Sequence, residues 1–406
     1  MKCIERIKYP EFDFKEYKAS EGRHSVHDYP AMLHYLLVNH LIKNYSSENN
    51  LVYDPFCGSG VSIVESLKLN RKAFGTDINP LALLIADVRT SNFEADRIRD
   101  VLNRFNIEWN NLTPDIPEVK NISYWFKDYV IKDLGKIRTF LRTIKNNEIF
   151  KFLLVVFSQT VRAVSNNRKG EFKRYRLSEE KLKQFTPNVR NTFISLAEKY
   201  LKIVETDIIP FTNFKLFLQD VRGSIPIKNV DLIITSPPYG DSKTTVAYGQ
   251  FSSFSFDWLK GLNPYGDSDL KLDSLCLGGK KIKDNKQLPS DSLYKALNEI
   301  ENIDPKRALE VYSFFYDYYL SIEQIVKTLN KNAYVCFVVG NRTVKGIQIE
   351  MDFITAEFFE SFGLTLENIF VREISNKRMP SKNSPSNRTG KTSNTMLNEY
   401  IVIMRN

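Results

Sequence analysis

The most constraining stretch runs from Leu51 to Asp77. Leu51-Val52-Tyr53 reads as a short buried strand, and Asp54-Pro55-Phe56-Cys57-Gly58-Ser59-Gly60 as a glycine-rich turn. Val61–Leu69 carries a helical pattern. Lys72-Ala73-Phe74-Gly75 is a second strand, ending at Thr76-Asp77. Strand, glycine turn, helix and strand with a terminal acid open a doubly wound, mostly parallel sheet of the Rossmann-like α/β class. Glycine lets a backbone turn tightly and lets a ligand approach where a Cβ would stand. An acid at the end of the next strand can accept hydrogen bonds from ribose hydroxyls. Gly58, Gly60 and Asp77 therefore form a candidate nucleoside-cofactor cradle, in a turn that also holds Asp54 and Phe56. The dinucleotide pattern GxGxxG is absent, because Val61-Ser62-Ile63 follows Gly60.

Later elements complete such a sheet. Strands are expected at Phe214–Leu218, Val230–Ile234 and Ala333–Val339, with an antiparallel closing pair at Phe370–Ile374 and Glu399–Met404. Helices are expected over 31–44, Pro80–Arg89, Val311–Leu329 and Glu350–Phe362. Residues 91–205 read as a largely helical insertion, strongest at Trp125–Ile144 and Glu148–Val164. Residues 246–310 read as an irregular insertion, both insertions being candidates for target recognition, and residues 1–30 as an extended polar and aromatic lead-in. The catalytic core is thus expected to comprise 1–90, 206–245 and 311–406.

Thr235-Ser236-Pro237-Pro238-Tyr239 follows the strand ending at Ile234. Two prolines cannot continue a ladder and fix a rigid extended loop. A loop at a strand's carboxyl end is where sites form in this fold. Ser236 adds a hydroxyl and Tyr239 an aromatic face. An ordinary Pro-Pro turn anchored by a tyrosine is the bland alternative.

The glycine turn and Ser236-Pro237-Pro238-Tyr239 together resemble the DNA amino-methyltransferases, which modify N4 of cytosine or N6 of adenine. His27-Asp28-Tyr29-Pro30-Ala31 resembles, more loosely, a further cofactor-side segment of that family, read here as a helix opening. The resemblance covers roughly 24–90, 214–245 and 311–406. It implies a class I methyltransferase fold, S-adenosylmethionine as cofactor, and base flipping of the target. It implies that Ser236 Oγ and the Pro237 carbonyl hold the amine, that Tyr239 stacks on the base, and that Asp77 holds the cofactor ribose. Asp220 would lie near the cofactor adenine, and Phe56 on its methionine side. Serine at the first motif position looks like the N4-cytosine branch, with N6-adenine as the alternative. An RNA amino-methyltransferase, a protein-glutamine methyltransferase and a non-catalytic DNA-binding relative are the rivals.

Composition bears on the partner. The chain has 406 residues and a net charge of +9, which suits double-stranded DNA, although a lysine-rich proteome would give the same excess. Arg168, Lys169, Lys173, Arg174 and Arg176 lie in one basic loop with aromatics, and Lys377 and Arg378 in another. Both are candidates for DNA contact. A companion restriction endonuclease is compatible with this reading. None of the four cysteines forms a CxxC pair or follows a proline, so neither zinc nor a C5-cytosine nucleophile is indicated. Cys57 reads as a small packing residue. His24, His27, His34 and His40 lack metal-ligand spacing. No stretch has a signal core or spans a membrane, so a cytoplasmic protein is expected.

Overall fold

The computed structural model describes residues 5–170, 173–239, 246–282, 286–374 and 397–406, with the backbone of 382–383 and 393–394. The amino-terminal part contains β1 (Arg6–Lys8), α1 (Tyr35–Tyr45), β2 (Leu51–Asp54), α2 (Val61–Lys68), β3 (Lys72–Asp77) and α3 (Pro80–Thr90). The insertion holds α4 (Ala95–Glu108), α5 (Ile122–Trp125), α6 (Asp128–Arg142), α7 (Asn147–Val164), α8 (Glu179–Gln184) and α9 (Val189–Thr206). The chain then forms β4 (Phe214–Leu218), β5 (Val230–Thr235), α10 (Tyr248–Leu259), α11 (Leu272–Leu275), α12 (Asp291–Ile303), α13 (Pro305–Val326) and β6 (Leu329–Val339). It ends with β7 (Arg342–Val344), β8 (Ile347–Ile349), α14 (Met351–Glu360), β9 (Thr365–Glu373), β10 (Lys382–Asn383), β11 (Ser393–Asn394) and β12 (Asn398–Arg405).

The main sheet has the order β1-β9-β12-β6-β5-β2-β3-β4. From β6 to β4 every pairing is parallel. β12 runs antiparallel to both β6 and β9. Alternation along the strands decides the two faces. Tyr53, Phe74, Ile233, Val335 and Phe337 pack with α12, α13 and α14 on one side. Val52, Leu232, Ile234, Cys336 and Val338 pack with α1 on the other. β2 leads outward to β3 and β4, whereas β5 and β6 extend the sheet the opposite way. The order therefore reverses between β2 and β5, and such a reversal leaves a crevice at the strands' carboxyl ends.

Three expectations need correction. The first concerns 246–310, which is not irregular: α10 and α12 are regular helices. α10 (YGQFSSFSFDWL) buries Phe251, Phe254, Phe256 and Trp258 together with Ser252, Ser253 and Ser255. A helix buried nearly all round has no polar stripe to betray it. It packs on the insertion helices, sharing their core with Phe126, Phe152 and Phe157. α12 instead joins α13 and α14 against the sheet.

The second concerns the predicted helix over 31–44, which starts only at Tyr35, because Ala31 sits at φ 53° and His34 caps the helix by accepting from Leu36 N–H. Likewise the helix expected over 125–144 runs from Asp128 to Arg142, Trp125 being the last residue of the short α5, and Leu329 belongs to β6 rather than to the helix before it.

The third concerns the lead-in, which is not a loose polar segment. Arg23, His24, Val26 and His27 are buried. The Arg89 guanidinium on α3 donates to the carbonyls of His24 (2.8 Å), Val26 (2.9 Å) and His27 (2.9 Å), and to Ser59 Oγ (2.7 Å). His24 Nε2 lies 2.8 Å from Glu65 Oε1, and His27 Nε2 lies 2.8 Å from Ser158 Oγ. The histidines are thus tied into the core. Among the described residues no group of three His, Cys, Asp or Glu is placed to hold a metal ion. No described helix is long and apolar enough to cross a membrane.

Arg89→Met is expected to lower stability by at least about 3 kcal/mol, since each stranded buried carbonyl costs about 1–3 kcal/mol. A urea unfolding curve checks this, and a midpoint equal to that of the parent would remove Arg89 from this role.

Candidate active site

The crevice between β2 and β5 is a cleft of about 940 Å³, part of it open to solvent. Its walls come from four stretches of chain: Tyr29–Leu33 of the lead-in, Asp54–Ser59 with Val61 and Ser62 around the glycine turn, Asp77–Asn79, and Gln219–Val221. Ser236, Pro238, Tyr248 and Leu275–Leu277 close it.

The glycine turn is held by two carboxylates. Asp54 is buried and accepts from Thr235 Oγ1 (2.5 Å), Phe56 N–H (3.0 Å) and Ser62 Oγ. Asp77 accepts from Gly58 N–H (2.9 Å) and Asn79 N–H (2.8 Å). Burial is the largest influence on both and pushes each carboxyl up to about 6, against the donated hydrogen bonds. A carboxylate offers about four lone pairs, so Asp77 keeps acceptor capacity on the cleft wall beyond its two backbone bonds. Gly58 at φ 48° and Gly60 at φ 82° adopt the left-handed conformation that glycine tolerates.

Gly60 does not line the cleft. A Cβ there would stand 2.7 Å from Ala86 Cβ, so its lack of a side chain serves the approach of α2 to α3. Phe56 lines the cleft, as does Cys57, whose thiol is pushed well up by burial. Asp220 also lines it, two residues beyond the end of β4. Burial raises the Asp220 carboxyl, but Arg222, 2.5 Å away, outweighs that and the net shift is down. Arg222 also meets Asp317 at 2.8 Å.

On the β5 side, Ser236 and Pro238 face the cleft, whereas Pro237 and Tyr239 do not line it. Ser236 Oγ lies 2.7 Å from the Tyr239 hydroxyl, and that hydroxyl donates to Glu399 Oε1 at 3.4 Å. Tyr239 packs half-buried against the core beneath β6 and β12.

Sequence reasoning missed Asn79, Gln219 and Leu275–Leu277 on the cleft wall. Asn79 caps α3 and donates to Tyr29 (3.1 Å) and Ser252 (3.0 Å). The Asn-Pro pair opening α3 is the one available signal.

The basic loop stands apart from the cleft. Arg168, Lys169 and Lys173 are exposed. Arg174 lies 5.4 Å from the rings of both Trp125 and Phe254. Arg176 lies over Tyr124 at 4.4 Å and pairs with Glu179 at 2.5 Å. Lys377 and Arg378 lie outside the described residues.

Comparison with known proteins bears on what this cleft serves. The DNA methylase family N6_N4_Mtase matches residues 7–87, the span that builds the lead-in, the glycine turn and α3. Type II methyltransferase M.MvaI of Kocuria varians is 35% identical over 97% of this chain and 93% of its own length. The chain belongs to the DNA amino-methyltransferase family. Type II methyltransferase M.MjaII of Methanocaldococcus jannaschii is 28% identical over 28% of this chain and 20% of its own length. A TehB-like SAM-dependent methyltransferase of Corynebacterium glutamicum matches at 9% identity and a TM-score of 0.31, over 90% of this chain and 85% of that one. That likeness is too distant to bear on fold or function. The family's cofactor is S-adenosylmethionine, and the cleft suits a ligand of that kind in its apolar and aromatic walls and in the acceptor capacity of Asp77.

A carboxyl raised by burial opposes folding once ionised. Asp54 holds its proton more tightly in the folded chain than in the unfolded one, so its contribution is most favourable below about pH 4 and is lost as pH rises to about 6. Asp54→Asn removes that dependence. Between pH 7 and pH 4 the parent should gain on the order of 3 kcal/mol relative to the variant, at about 1.4 kcal/mol per pKa unit. Paired denaturation curves across that window test this, and a constant difference would refute it.

Proposed function

We propose that this chain methylates the exocyclic N4 of cytosine in double-stranded DNA after flipping the base, with N6 of adenine as the alternative product. The observation that carries the reading is the shared cleft: the Ser236 hydroxyl and the Asp54–Gly58 turn face the same space, and Asp54 bonds to Thr235 beside Ser236. Serine at the first motif position favours cytosine, by resemblance to the N4 branch.

In this reading Asp77 accepts from the ribose hydroxyls of S-adenosylmethionine, Gly58 lets the nucleoside approach, and Phe56 and Asp220 contact its two ends. Bound there, the cofactor supplies an electrophilic methyl group. Everything else falls to the chain's own residues. An exocyclic amine is a poor nucleophile because its lone pair is conjugated with the ring. Ser236 Oγ and the Pro237 carbonyl accept from its two N–H groups, which draws the nitrogen towards a pyramidal geometry and frees the lone pair. The nitrogen lone pair takes the methyl, whose bond to the sulfonium sulfur breaks to leave a neutral thioether, and the proton the nitrogen then sheds passes to water. Pro237 and Pro238 hold these acceptors still, so positioning supplies most of the rate. The half-buried ring of Tyr239 offers a stacking surface for the flipped base.

The test is mass spectrometry of nucleosides from DNA of cells expressing the protein. N4-methylcytosine is expected. N6-methyladenine would select the alternative base, and 5-methylcytosine would overturn the chemistry. Tyr239→Ala should lower methylation by roughly 10- to 100-fold, because stacking on a base is worth about 1–3 kcal/mol, while leaving S-adenosylmethionine affinity within about twofold. Full activity in that variant would remove Tyr239 from the site.

The exposed Arg168, Lys169 and Lys173 are proposed to contact phosphates. Arg174 and Arg176, held over aromatic rings, are proposed to stiffen the loop that presents them. Replacing the three exposed residues with alanine should flatten the slope of log affinity against log salt by about 2–3, at roughly 0.9 for each phosphate that is no longer neutralised. An unchanged slope would make the loop a solvated surface feature.

A further inference from the structure

The bond between Ser236 and Tyr239 carries a directional consequence. A serine hydroxyl can donate or accept. To hold an amine it must accept, so its own proton has to be directed elsewhere. Glu399 on β12 supplies the direction. Its Oε2 accepts from Arg372 Nε at 2.9 Å, and both side chains are largely buried. Arg372 is in turn anchored by donating to the Phe12 carbonyl at 3.0 Å. The remaining oxygen, Oε1, faces the Tyr239 hydroxyl at 3.4 Å, and an ion-paired carboxylate can only accept. With the Tyr239 proton pointed at Glu399, the 2.7 Å bond between the two hydroxyls runs from Ser236 to Tyr239. Both lone pairs of Ser236 Oγ then remain for the cleft, which Ser236 lines.

We propose that Glu399 is a positioning residue that acts through Tyr239 to set the hydrogen-bond polarity of Ser236, making that hydroxyl an acceptor selective for an amino group over a carbonyl oxygen. The proposal rests on the amino-methylation reading above.

Glu399→Gln tests it with almost no change of shape. Arg372 Nε donates, so the amide oxygen turns to Arg372 and the NH₂ faces Tyr239. The relay then reverses: the amide donates to Tyr239, Tyr239 donates to Ser236, and the Ser236 proton enters the cleft. Tyr239→Phe cuts the relay without touching the Arg372–Glu399 pair, and carries the test if Glu399→Gln fails to fold. Two readouts are taken on a duplex holding the site mapped from methylated cellular DNA. One is kcat beside S-adenosylmethionine affinity by calorimetry. The other is the ratio of affinities for duplexes carrying the target base and its carbonyl analogue, uracil for cytosine or hypoxanthine for adenine. The mismatch eases flipping equally for every protein compared, so a change in that ratio between proteins reports the pocket.

Both variants should lose roughly 10- to 100-fold in kcat, the scale of a misplaced reacting group, with cofactor affinity within about twofold. The amine-to-carbonyl preference should fall in Tyr239→Phe and fall further in Glu399→Gln. The double variant should be no worse than Tyr239→Phe alone, as one relay predicts. Parental kcat and preference in Tyr239→Phe, or a Glu399→Gln variant that keeps its preference while losing only stability, would overturn the proposal. If parent-expressing cells contain no methylated DNA base, the underlying reading falls and takes this one with it. A parent that methylates while the variants keep its preference defeats this inference alone.

Discussion

One buried carboxylate holds the two halves of the cleft in register. Asp54 ends β2, yet its partners are Thr235 on β5, Ser62 on α2 and the backbone of its own turn at Phe56. The strand that begins the glycine turn and the strand that delivers the Ser236 loop are adjacent and parallel. Adjacency alone would leave each loop free to choose its own path beyond the sheet. The side-chain bond from Thr235 removes that freedom at the residue next to Ser236. The cost is a charge in a dry place, visible in the upward displacement of the Asp54 carboxyl. Buried polar networks of this kind specify one arrangement strongly when every member is satisfied.

The sheet order makes such a bond possible. Reversal between β2 and β5 opens a crevice at their carboxyl ends, and both chemistry-bearing loops leave the sheet there. The floor is set by strand pairing, the side walls by the lead-in and by α10. Beyond the crevice the antiparallel β12 brings Glu399 and β9 brings Arg372 behind the Ser236 loop.

Much of this frame is legible in the chain. Leu51–Asp77 has the local chemistry of a strand, a turn needing glycine, a helix and a terminal acid, and each part forms within a few residues of its expected place. Val230–Tyr239 is equally readable, because two prolines end a strand unambiguously. Elements whose character comes from burial on all sides are not. α10 mixes glycine, serine and aromatic residues that look like a loop until Phe126, Phe152 and Phe157 surround them. The lead-in looks solvated because its arginine and histidines are polar, and only long-range partners such as Ser158 and Arg89 account for their burial. Gly60 carries the opposite lesson. Its residue type suggests room for a ligand, and it makes room for a helix. Glu399 has no signal at all, since an acid in a strand declares nothing about the tyrosine it will face.

The lead-in's anchoring also bears on the order in which the molecule is made. Arg23 bonds to the carbonyl of Val204 and receives Asp207 on its backbone N–H, His27 meets Ser158, and β1 pairs with β9 near the far end of the chain. The lead-in therefore has to wait for partners that are synthesised long after it. At about 5–20 residues per second the gap between Arg23 and Asp207 alone amounts to roughly 10–40 s. Throughout that interval the lead-in has Arg89, Glu65 and Asn79 to join but lacks Asp207 and β9. Completion of the binding site is a late event in the life of this chain, because its lead-in wall is anchored only once Asp207 is made and its remaining walls, from Gln219 to Leu277, are synthesised later still.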